Sequence, residues 1–250
     1  MSGDHFNLDR AEIGRFNAVA PVWWDRRGPL RALHDINPVR SAYVAGRSAL
    51  AGSELIDVGC GGGLLAESLA RYGARVTAID MADEALAVAR AHARGEGLKI
   101  EFQASTAEQM ARRCPQMYDI VTCMELLEHV PDPASLVFAC GRLLRPGGDL
   151  FFATVNRTVA ARLLVVWAAE YLLGIVRRGT HDHRKFVRPT ELITWGIQAG
   201  LRLADLSGLR YFPFIGRAGL CRSVELNYLM HFKKPERNSH GIVAEPQLVR

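Results

Sequence analysis

The chain has 250 residues, a length that suits one α/β domain with a full core. Hydrophobic residues make up 49% and charged residues 23%, which excludes a disordered chain and a bundle of membrane-spanning helices. The net charge of +5 favours anionic partners without choosing among them. The five cysteines form no CxxC pair and the N-terminus has no apolar signal sequence, so we expect a cytoplasmic protein.

The first predicted elements are helices within residues 1–50, which include the aromatic segment "FNAVAPVWWD" and would cover the rest of the fold. From Glu54 onward, short apolar runs alternate with amphipathic helical stretches. Such alternation is typical of βαβ units, in which a parallel sheet carries helices on both faces. The predicted strands are "ELIDVG", "ARVTAID", "KIEFQAS", "YDIVTC" and "GDLFFATVN", and the predicted helices cover 64–72, 83–94 and 134–144.

Two further strand-like runs, "LRLADLSGL" and "VELNYLMHF", lie near the end of the chain and are separated by a segment with Gly and Pro. They would close the sheet with an antiparallel edge. The predicted fold class is therefore α/β, a doubly wound, mostly parallel seven-stranded sheet with an antiparallel edge strand. We expect one domain over 1–233, with a helical cover at 1–50, an inserted segment at 158–188 and a flexible tail at 234–250.

A glycine-rich turn joins the first strand to the first helix, with Gly59, Gly61 and Gly63 at alternate positions. Glycines there let the backbone turn tightly and approach a ligand. Asp57 precedes the turn, and Asp80 ends the next strand, where a carboxylate can bind both hydroxyls of a ribose. The pattern resembles the S-adenosylmethionine (SAM) site of class I methyltransferases, and its spacing differs from the G-x-G-x-x-G turn of dehydrogenases.

Alternatives to cofactor binding stay open for these residues. The glycines could simply make a tight connection, and Asp80 could cap the helix that follows. Met81, beside Asp80, could pack on an adenine ring. The stretch "AST" at 104–106 ends the third strand, where adenine edges are usually read.

The stretch "MELLEHVPDP" follows the fourth strand and carries two glutamates and a histidine. If the chain turns helical after Met124, then Glu125, Glu128 and His129 lie on one face of one turn. That face could hold Mg²⁺, Mn²⁺ or Zn²⁺, which would lower the pKa of a bound phenol. The alternative is a set of capping or solvated side chains before a loop.

Six motifs resemble the ubiquinone-biosynthesis O-methyltransferases over approximately residues 12–233. They are "WWD" at 23–25, "INPVR" at 36–40, "DVGCGGG" at 57–63, "CMELLEHVPDP" at 123–133, "RPGGDLFFATVNR" at 145–157 and "GTHDHRKFVRP" at 179–189. The resemblance implies SAM-dependent methylation of phenolic hydroxyls on 2-polyprenyl-6-hydroxyphenol and 3-demethylubiquinol. It also implies that Arg40 meets the methionine carboxylate of SAM, for which the planar guanidinium is suited. The residues expected to bind SAM are Arg40, Asp57, Gly59, Gly61, Asp80, Met81 and Met124.

The resemblance also implies that some members of the family bind a divalent cation through a unit that maps onto Glu125, Glu128 and His129. A phenol is mostly protonated at pH 7, so either such an ion or a general base is needed. His129 and Glu128 are the candidate catalytic residues if no ion takes part. Asn156 could add an amide ligand or form a turn, and His181 and Asp182 could touch substrate from a lid or lie at the surface.

The inserted segment contains 14 mostly apolar residues at 163–176, fewer than the ~20 that span a bilayer as a helix. Arginines flank this stretch and it contains Trp167 and Tyr171, so we expect 162–178 to contact anionic lipid at the inner face of the membrane. A buried core helix is the alternative.

Other functional classes fit less well. The chain lacks the Asn/Asp-Pro-Pro-aromatic run of amino-group methyltransferases and has no basic and aromatic stripe, so we expect no nucleic acid partner. Two further alternatives are a SAM-binding scaffold with little turnover, within a membrane-associated ubiquinone-biosynthesis complex, and a methyltransferase of another small phenol.

Overall fold

The computed structural model describes residues 7–158 and 185–236. The helices are α1 (Arg10–Val19), α2 (Arg31–Ala45), α3 (Leu64–Arg71), α4 (Asp83–Gly95), α5 (Ala107–Arg113), α6 (Pro133–Leu143) and α7 (Pro189–Gln198), with short 3₁₀ turns at Ala20–Val22 and Leu127–His129. The strands are β1 (Glu54–Val58), β2 (Arg75–Asp80), β3 (Ile100–Ala104), β4 (Tyr118–Met124), β5 (Leu144–Val155), β6 (Arg202–Phe212), β7 (Arg217–Cys221) and β8 (Asn227–Lys233).

The strands form one sheet in the order β3-β2-β1-β4-β5-β8-β6-β7. Neighbours from β3 to β5 are parallel, whereas β8 is antiparallel to both β5 and β6, and β7 is antiparallel to β6. The doubly wound, mostly parallel sheet is therefore confirmed. It has eight strands where seven were expected, because the segment between the last two predicted strands turns back at Gly216, whose φ is 60°, and adds β7 as the antiparallel edge.

Hydrophobic clusters cover both faces of the sheet. Side chains of α5, α6 and α7 pack on one face, and those of α2, α3 and α4 pack on the other. A third cluster joins Ala20 and Trp23 from the N-terminal segment to Leu64, Ala82 and Ala85. The predicted helical cover at the N-terminus thus packs directly on the helices that follow β1 and β2.

Most of the inserted segment, including the expected lipid-contacting residues 162–178, lies outside the described residues. Within 7–158 and 185–236, no helix has both the length and the apolar character needed to cross a bilayer.

Hydrogen bonds around Asp205 connect helix α2 and the residues after it to strand β6. One oxygen of Asp205, Oδ2, accepts hydrogen bonds from the Tyr43 hydroxyl at 2.6 Å, from Arg47 at 3.0 Å and from Ser207 at 2.8 Å. Partial burial raises the pKa of Asp205, but the hydrogen bonds and the Arg47 charge outweigh it and hold the pKa below its ordinary value. The ionised carboxylate therefore stabilises the position of α2.

We expect Asp205→Asn to lower the free energy of unfolding by about 1–2 kcal/mol at pH 7, because it weakens several hydrogen bonds to one carboxylate. Since the folded pKa is lowered, this contribution is full above the unfolded pKa and disappears as the pH falls through the folded value. Urea titrations of both proteins from neutral to acid pH measure this. As a control, Asp83→Asn at an exposed position should change the free energy of unfolding by less than about 0.5 kcal/mol. If Asp205→Asn were still less stable than the parent in acid, the stabilisation would not come from the ionised Asp205 carboxylate.

Candidate active site at the carboxyl edge of the sheet

A cavity of about 290 Å³ lies at the carboxyl ends of β1, β2 and β4 and is covered by residues of α1 and α2. Ligands bind at this edge in open α/β sheets. Ten of the residues predicted to bind cofactor or metal or to act in catalysis line this one cavity. They are Arg40, Asp57, Gly59, Gly61, Asp80, Met81, Met124, Glu125, Glu128 and His129.

The glycine-rich turn has a backbone that ordinary residues adopt with difficulty. Gly59, Gly61 and Gly63 have φ angles of 75°, 51° and 89°, all in the left-handed region. The N–H groups of Gly59 and Cys60 both donate to the carbonyl of Ile79, at 2.8 and 3.0 Å. The turn is therefore held against the end of β2 by hydrogen bonds of the protein backbone.

The same glycines also accommodate an aromatic ring from the N-terminal cover. A Cβ atom at Gly61 would lie 2.3 Å from Trp23 Cζ2, and one at Gly62 would lie 2.3 Å from Trp23 Cγ. The indole of Trp24 donates to the carbonyl of Gly62 at 3.1 Å. The "WWD" segment thus packs on the glycine-rich turn. Gly61 and Gly62 are therefore required to be small by the Trp23 ring, in addition to any approach of a ligand.

Asp80 links β2 to this turn. Its Oδ2 accepts from Gly61 N–H at 2.8 Å, and its Oδ1 accepts from the N–H groups of Met81 and Ala82 at 2.7 and 2.8 Å. Burial raises its pKa, although these three hydrogen bonds oppose the shift. Asp80 does not cap α4, since Ala82 occupies the N-cap position. Oδ2 keeps acceptor capacity for a hydroxyl group.

Arg40 brings a buried positive charge to the cavity. The residue is only 5% exposed, its Nε has no hydrogen-bond partner, and Nη2 makes one long contact of 3.4 Å to Asn37. Burial lowers its pKa, and the carboxylates of Glu125 and Asp57 oppose that effect. A buried guanidinium with open donors suits a ligand carboxylate.

Asp57 is 2% exposed and accepts a hydrogen bond from the Thr122 hydroxyl at 2.7 Å. Burial raises its pKa to about 6, against the opposing effects of Thr122 and Arg40. Asp57 and Arg40 both line the cavity, and the charge of each acts on the pKa of the other.

The chain does not turn helical directly after Met124, so the proposed single helical face is not formed. Glu125 has a φ of 58°, and its N–H donates to the carbonyl of Ala153 on β5 at 2.8 Å. This contact keeps Glu125 attached to the sheet, and the 3₁₀ turn begins only at Leu127. A left-handed conformation is uncommon for a residue with a side chain and often marks a functional position.

Glu125 and Glu128 nevertheless lie close together. Glu125 Oε1 is buried without a hydrogen-bond partner, while Glu128 Oε2 accepts from the Thr154 hydroxyl at 2.7 Å. Burial and the like charge of Glu128 raise the pKa of Glu125 to about 7. Glu125 can therefore change its protonation state near neutral pH.

His129 is paired with a residue that the sequence did not indicate. Its Nδ1 lies 2.9 Å from Oε2 of Glu12 on α1, and its ring contacts Phe16 edge to face at 5.2 Å. Burial lowers the pKa of His129, but the hydrogen bond to Glu12 and the charges of Glu128 and Glu125 raise it above its ordinary value overall. Within the described part of the chain, no residue forms a hydrogen bond with Nε2 of His129.

The predicted metal ligands do not converge on one point. Among residues 7–158 and 185–236, no group of three or more His, Cys, Asp or Glu side chains is arranged to hold an ion. Asn156 does not line the cavity, because its Nδ2 donates to the carbonyl of Val224 at 2.8 Å. His181 and Asp182 lie outside the described residues.

Comparison with known sequences identifies methyltransferases as relatives of this chain. A family model described as a methyltransferase domain matches residues 56–152, from β1 to β5. The ubiquinone biosynthesis O-methyltransferase of Pseudomonas aeruginosa is 49% identical over 228 residues, which is 91% of this chain and 98% of that protein. The protein of the same name from Aeromonas salmonicida is 48% identical and covers 94% of this chain and 98% of its own length.

The chain belongs to the ubiquinone biosynthesis O-methyltransferase family. It is accordingly a SAM-dependent methyltransferase, and the dehydrogenase alternative is excluded.

Solved structures support the same fold. Magnesium protoporphyrin IX methyltransferase from Synechocystis PCC 6803, solved with bound SAH, aligns with a TM-score of 0.65 over 92% of this chain and 97% of that one, at 16% identity. A SAM-dependent methyltransferase from Aquifex aeolicus has a TM-score of 0.55, 14% identity, and covers 90% and 98% of the two chains. At these identities the likeness establishes the fold alone.

We expect Gly62→Ala to lower the free energy of unfolding by about 1–3 kcal/mol, because the new methyl group would overlap the Trp23 ring. The loss should be smaller in a Trp23→Ala background, where space is available. Urea denaturation of the four proteins in this double-mutant cycle gives the coupling energy. Additive losses would show that Trp23 does not pack on the turn in solution.

We expect Glu12→Gln to lower the pKa of His129, because the Glu12 carboxylate stabilises the protonated imidazole. An NMR titration of the imidazole signals, assigned with a His129→Asn protein, measures the shift. Glu108→Gln is a matched control, since Glu108 lines the same cavity but contacts Asn7 and Ser135. An unchanged pKa in Glu12→Gln would rule out the His129 to Glu12 contact in solution.

Proposed function

We propose that the protein transfers the methyl group of SAM to phenolic hydroxyls of polyprenylated ubiquinone precursors, namely 2-polyprenyl-6-hydroxyphenol and 3-demethylubiquinol. The names of its relatives support the pathway. The observation that carries the proposal is that one cavity joins a nucleoside-type site to an acidic cluster with a histidine. Methyl transfer to a phenol requires the cofactor site and the acidic cluster to be adjacent, so that the phenol oxygen can approach the methyl carbon of SAM.

The cofactor end of the cavity would hold SAM by charge and by hydrogen bonds. Arg40, whose buried Nε has no hydrogen-bond partner, would bind the methionine carboxylate. Asp80 would accept a ribose hydroxyl through Oδ2, and Met81 and the Ser105 region would pack around adenine. Gly59 and Gly61 would let the ligand lie against the backbone, while Asp57 and Met124 line the methionine end.

In the reaction, the bond between sulfur and the methyl carbon breaks as the bond from the phenol oxygen to that carbon forms. The phenol proton has to leave, because the neutral hydroxyl is a poor nucleophile. His129 would take it at Nε2, since Nδ1 faces the carboxylate of Glu12 and the ring is then held with Nε2 as the acceptor. Glu128, held by Thr154, is the second candidate base.

A divalent cation remains part of the proposal. The unpartnered oxygen of Glu125 beside a second buried carboxyl group is an environment that a cation would stabilise, and Nε2 of His129 could complete the set. When bound, such an ion would lower the pKa of the phenol oxygen. Glu125, Glu128 and His129 would hold it. Among the described residues Glu125 and Glu128 lie close together, but the three side chains are not arranged around one point.

The membrane assignments are likewise proposals. A polyprenyl tail resides in lipid, so an enzyme that acts on it has to work at a bilayer surface. Residues 162–178, with apolar and arginine side chains, have the composition for peripheral contact with anionic lipid at the inner face. A place in a biosynthetic complex would bring the same substrate within reach.

We expect the full-length protein to methylate a short-tailed 2-polyprenyl-6-hydroxyphenol in liposomes, using SAM labelled in its methyl group. His129→Asn should lower kcat by roughly 10²- to 10⁴-fold, the range for losing a general base, with SAM affinity by calorimetry unchanged. Arg40→Gln should instead weaken SAM binding. Absence of turnover with intact SAM binding would favour the scaffold alternative, and turnover restricted to tail-less catechols would favour another small phenol.

The metal question is decided by the same assay after chelation. If a cation takes part, activity falls with chelator and is restored by Mg²⁺, Mn²⁺ or Zn²⁺, and Glu125→Gln removes the response to the ion. Activity that is indifferent to chelator would leave the metal-free base as the mechanism.

A further inference from the structure

Helix α3 carries a buried carboxyl group that does not line the cavity. The side chain of Glu67 is 0% exposed and belongs to the first turn of α3, directly after the glycine-rich turn. Its Oε1 lies 2.7 Å from Nδ1 of His92 on α4, and its Oε2 accepts from Arg71 at 3.1 Å. A carboxylate only accepts hydrogen bonds, so Nδ1 of His92 is the donor. The two partners offset the cost of burying this charged group.

The ring of His92 is stacked on the indole of Trp24. The ring centroids are 3.4 Å apart, and the two planes differ by 3°. His34 on α2 contacts the same indole edge to face, at 5.9 Å. Because the hydrogen bond to Glu67 fixes the orientation of the His92 ring, it also fixes the surface on which Trp24 lies.

Trp24 connects these residues to the glycine-rich turn. Its indole N–H donates to the carbonyl of Gly62 at 3.1 Å. A series of direct contacts therefore runs from Glu67 through His92 and Trp24 to the backbone of the turn. None of these three side chains lines the cavity, whereas Gly61, which precedes Gly62, does. The series thus reaches the cofactor end of the cavity from outside, through the backbone.

The glycine-rich turn needs such contacts, because Gly61, Gly62 and Gly63 have no side chains of their own to fix it. Glycine keeps more backbone freedom than any other residue. A ligand binds more weakly where the backbone must first be ordered, so hydrogen bonds that order it in advance raise affinity. Asp80 holds one N–H of the turn, and Trp24 holds one carbonyl.

We infer that His92 is a positioning residue for SAM binding. Anchored by Glu67, its ring holds the Trp24 indole in the orientation that donates to Gly62, which keeps the glycine-rich turn in the conformation that receives the cofactor. The neighbouring Trp23 packs on the same turn, so displacement of Trp24 would disturb that contact as well. The effect is on cofactor affinity rather than on the chemical step, because His92, Glu67 and Trp24 lie outside the cavity.

The test is calorimetric binding of S-adenosylhomocysteine (SAH) to the full-length protein. His92→Ala should weaken SAH binding roughly three- to tenfold, the effect of about one hydrogen bond, because the Trp24 ring loses the surface on which it is stacked. In methyl transfer to a tail-less catechol, the same variant should raise KM for SAM by a similar factor. Its kcat at saturating SAM should equal that of the parent.

Two variants separate positioning from a purely structural role. His92→Phe keeps a ring beside Trp24 but removes the hydrogen bond to Glu67, and it should restore most of the SAH affinity that His92→Ala loses. Arg71→Gln removes the other partner of Glu67 without touching Trp24, and it should bind SAH like the parent. Urea denaturation should show a loss of stability in all three variants, because each leaves the buried Glu67 with one partner fewer.

Trp24→Phe tests the other end of the series of contacts and preserves an aromatic ring. It removes the donor to Gly62, so it should weaken SAH binding as much as His92→Ala does, and adding His92→Ala should have little further effect. SAH affinity in Trp24→Phe equal to that of the parent would overturn the inference. So would equal weakening in His92→Ala, His92→Phe and Arg71→Gln, because the loss would then follow the uncovered Glu67 carboxylate.

The binding measurements need no methyl acceptor. Failure of methyl transfer in every protein would therefore reject the proposed function and leave the SAH results as the test of this inference.

Discussion

The carboxylate of Asp80 is the contact around which the cofactor end of the cavity is organised. It accepts hydrogen bonds from one N–H group of the glycine-rich turn and from two N–H groups after β2. The ends of β1 and β2 are thereby held in one arrangement. Three N–H donors stabilise the ionised carboxylate and so offset part of the free-energy cost of burying it. The carboxylate can still accept another hydrogen bond.

The second half of the site comes from the N-terminal cover. Trp23 packs on Gly61 and Gly62, Glu12 fixes His129, and Arg40 supplies the buried charge. A methyltransferase core consisting of the sheet and its own helices would contain the acidic turn and the glycines but would lack these three side chains. The segment before β1 therefore lines the same cavity as the sheet edge, and its docking brings Glu12, Trp23 and Arg40 to that cavity.

Sequence patterns were sufficient for the groups whose positions follow from strand ends and turns. The alternation of strands and helices determines which residues reach the carboxyl edge, so nine of the ten residues share one cavity for that reason, whereas Arg40 reaches it from α2 and was expected only from the family resemblance. Contacts between distant segments were not predictable in this way. Glu12 and His129 are 117 residues apart, and Thr122 and Asp57 are 65 apart, with no local pattern that marks either pair. The prediction of a helical turn directly after Met124 was wrong because the N–H of Glu125 donates a hydrogen bond to the carbonyl of Ala153 on β5. Local helix propensity does not reveal such a tertiary contact.

The left-handed backbone of Glu125 has a consequence for how this protein can change. Glycine is the residue that adopts such a φ without steric cost, so the position holds a glutamate against the preference of its own backbone. Selection for thermal robustness alone would be expected to drift toward glycine here, and would remove a buried carboxyl group from the cavity as it did so. With the role proposed for Glu125, stability and activity are opposed at this position, and a family member that carries glycine there is expected to have lost or altered catalysis.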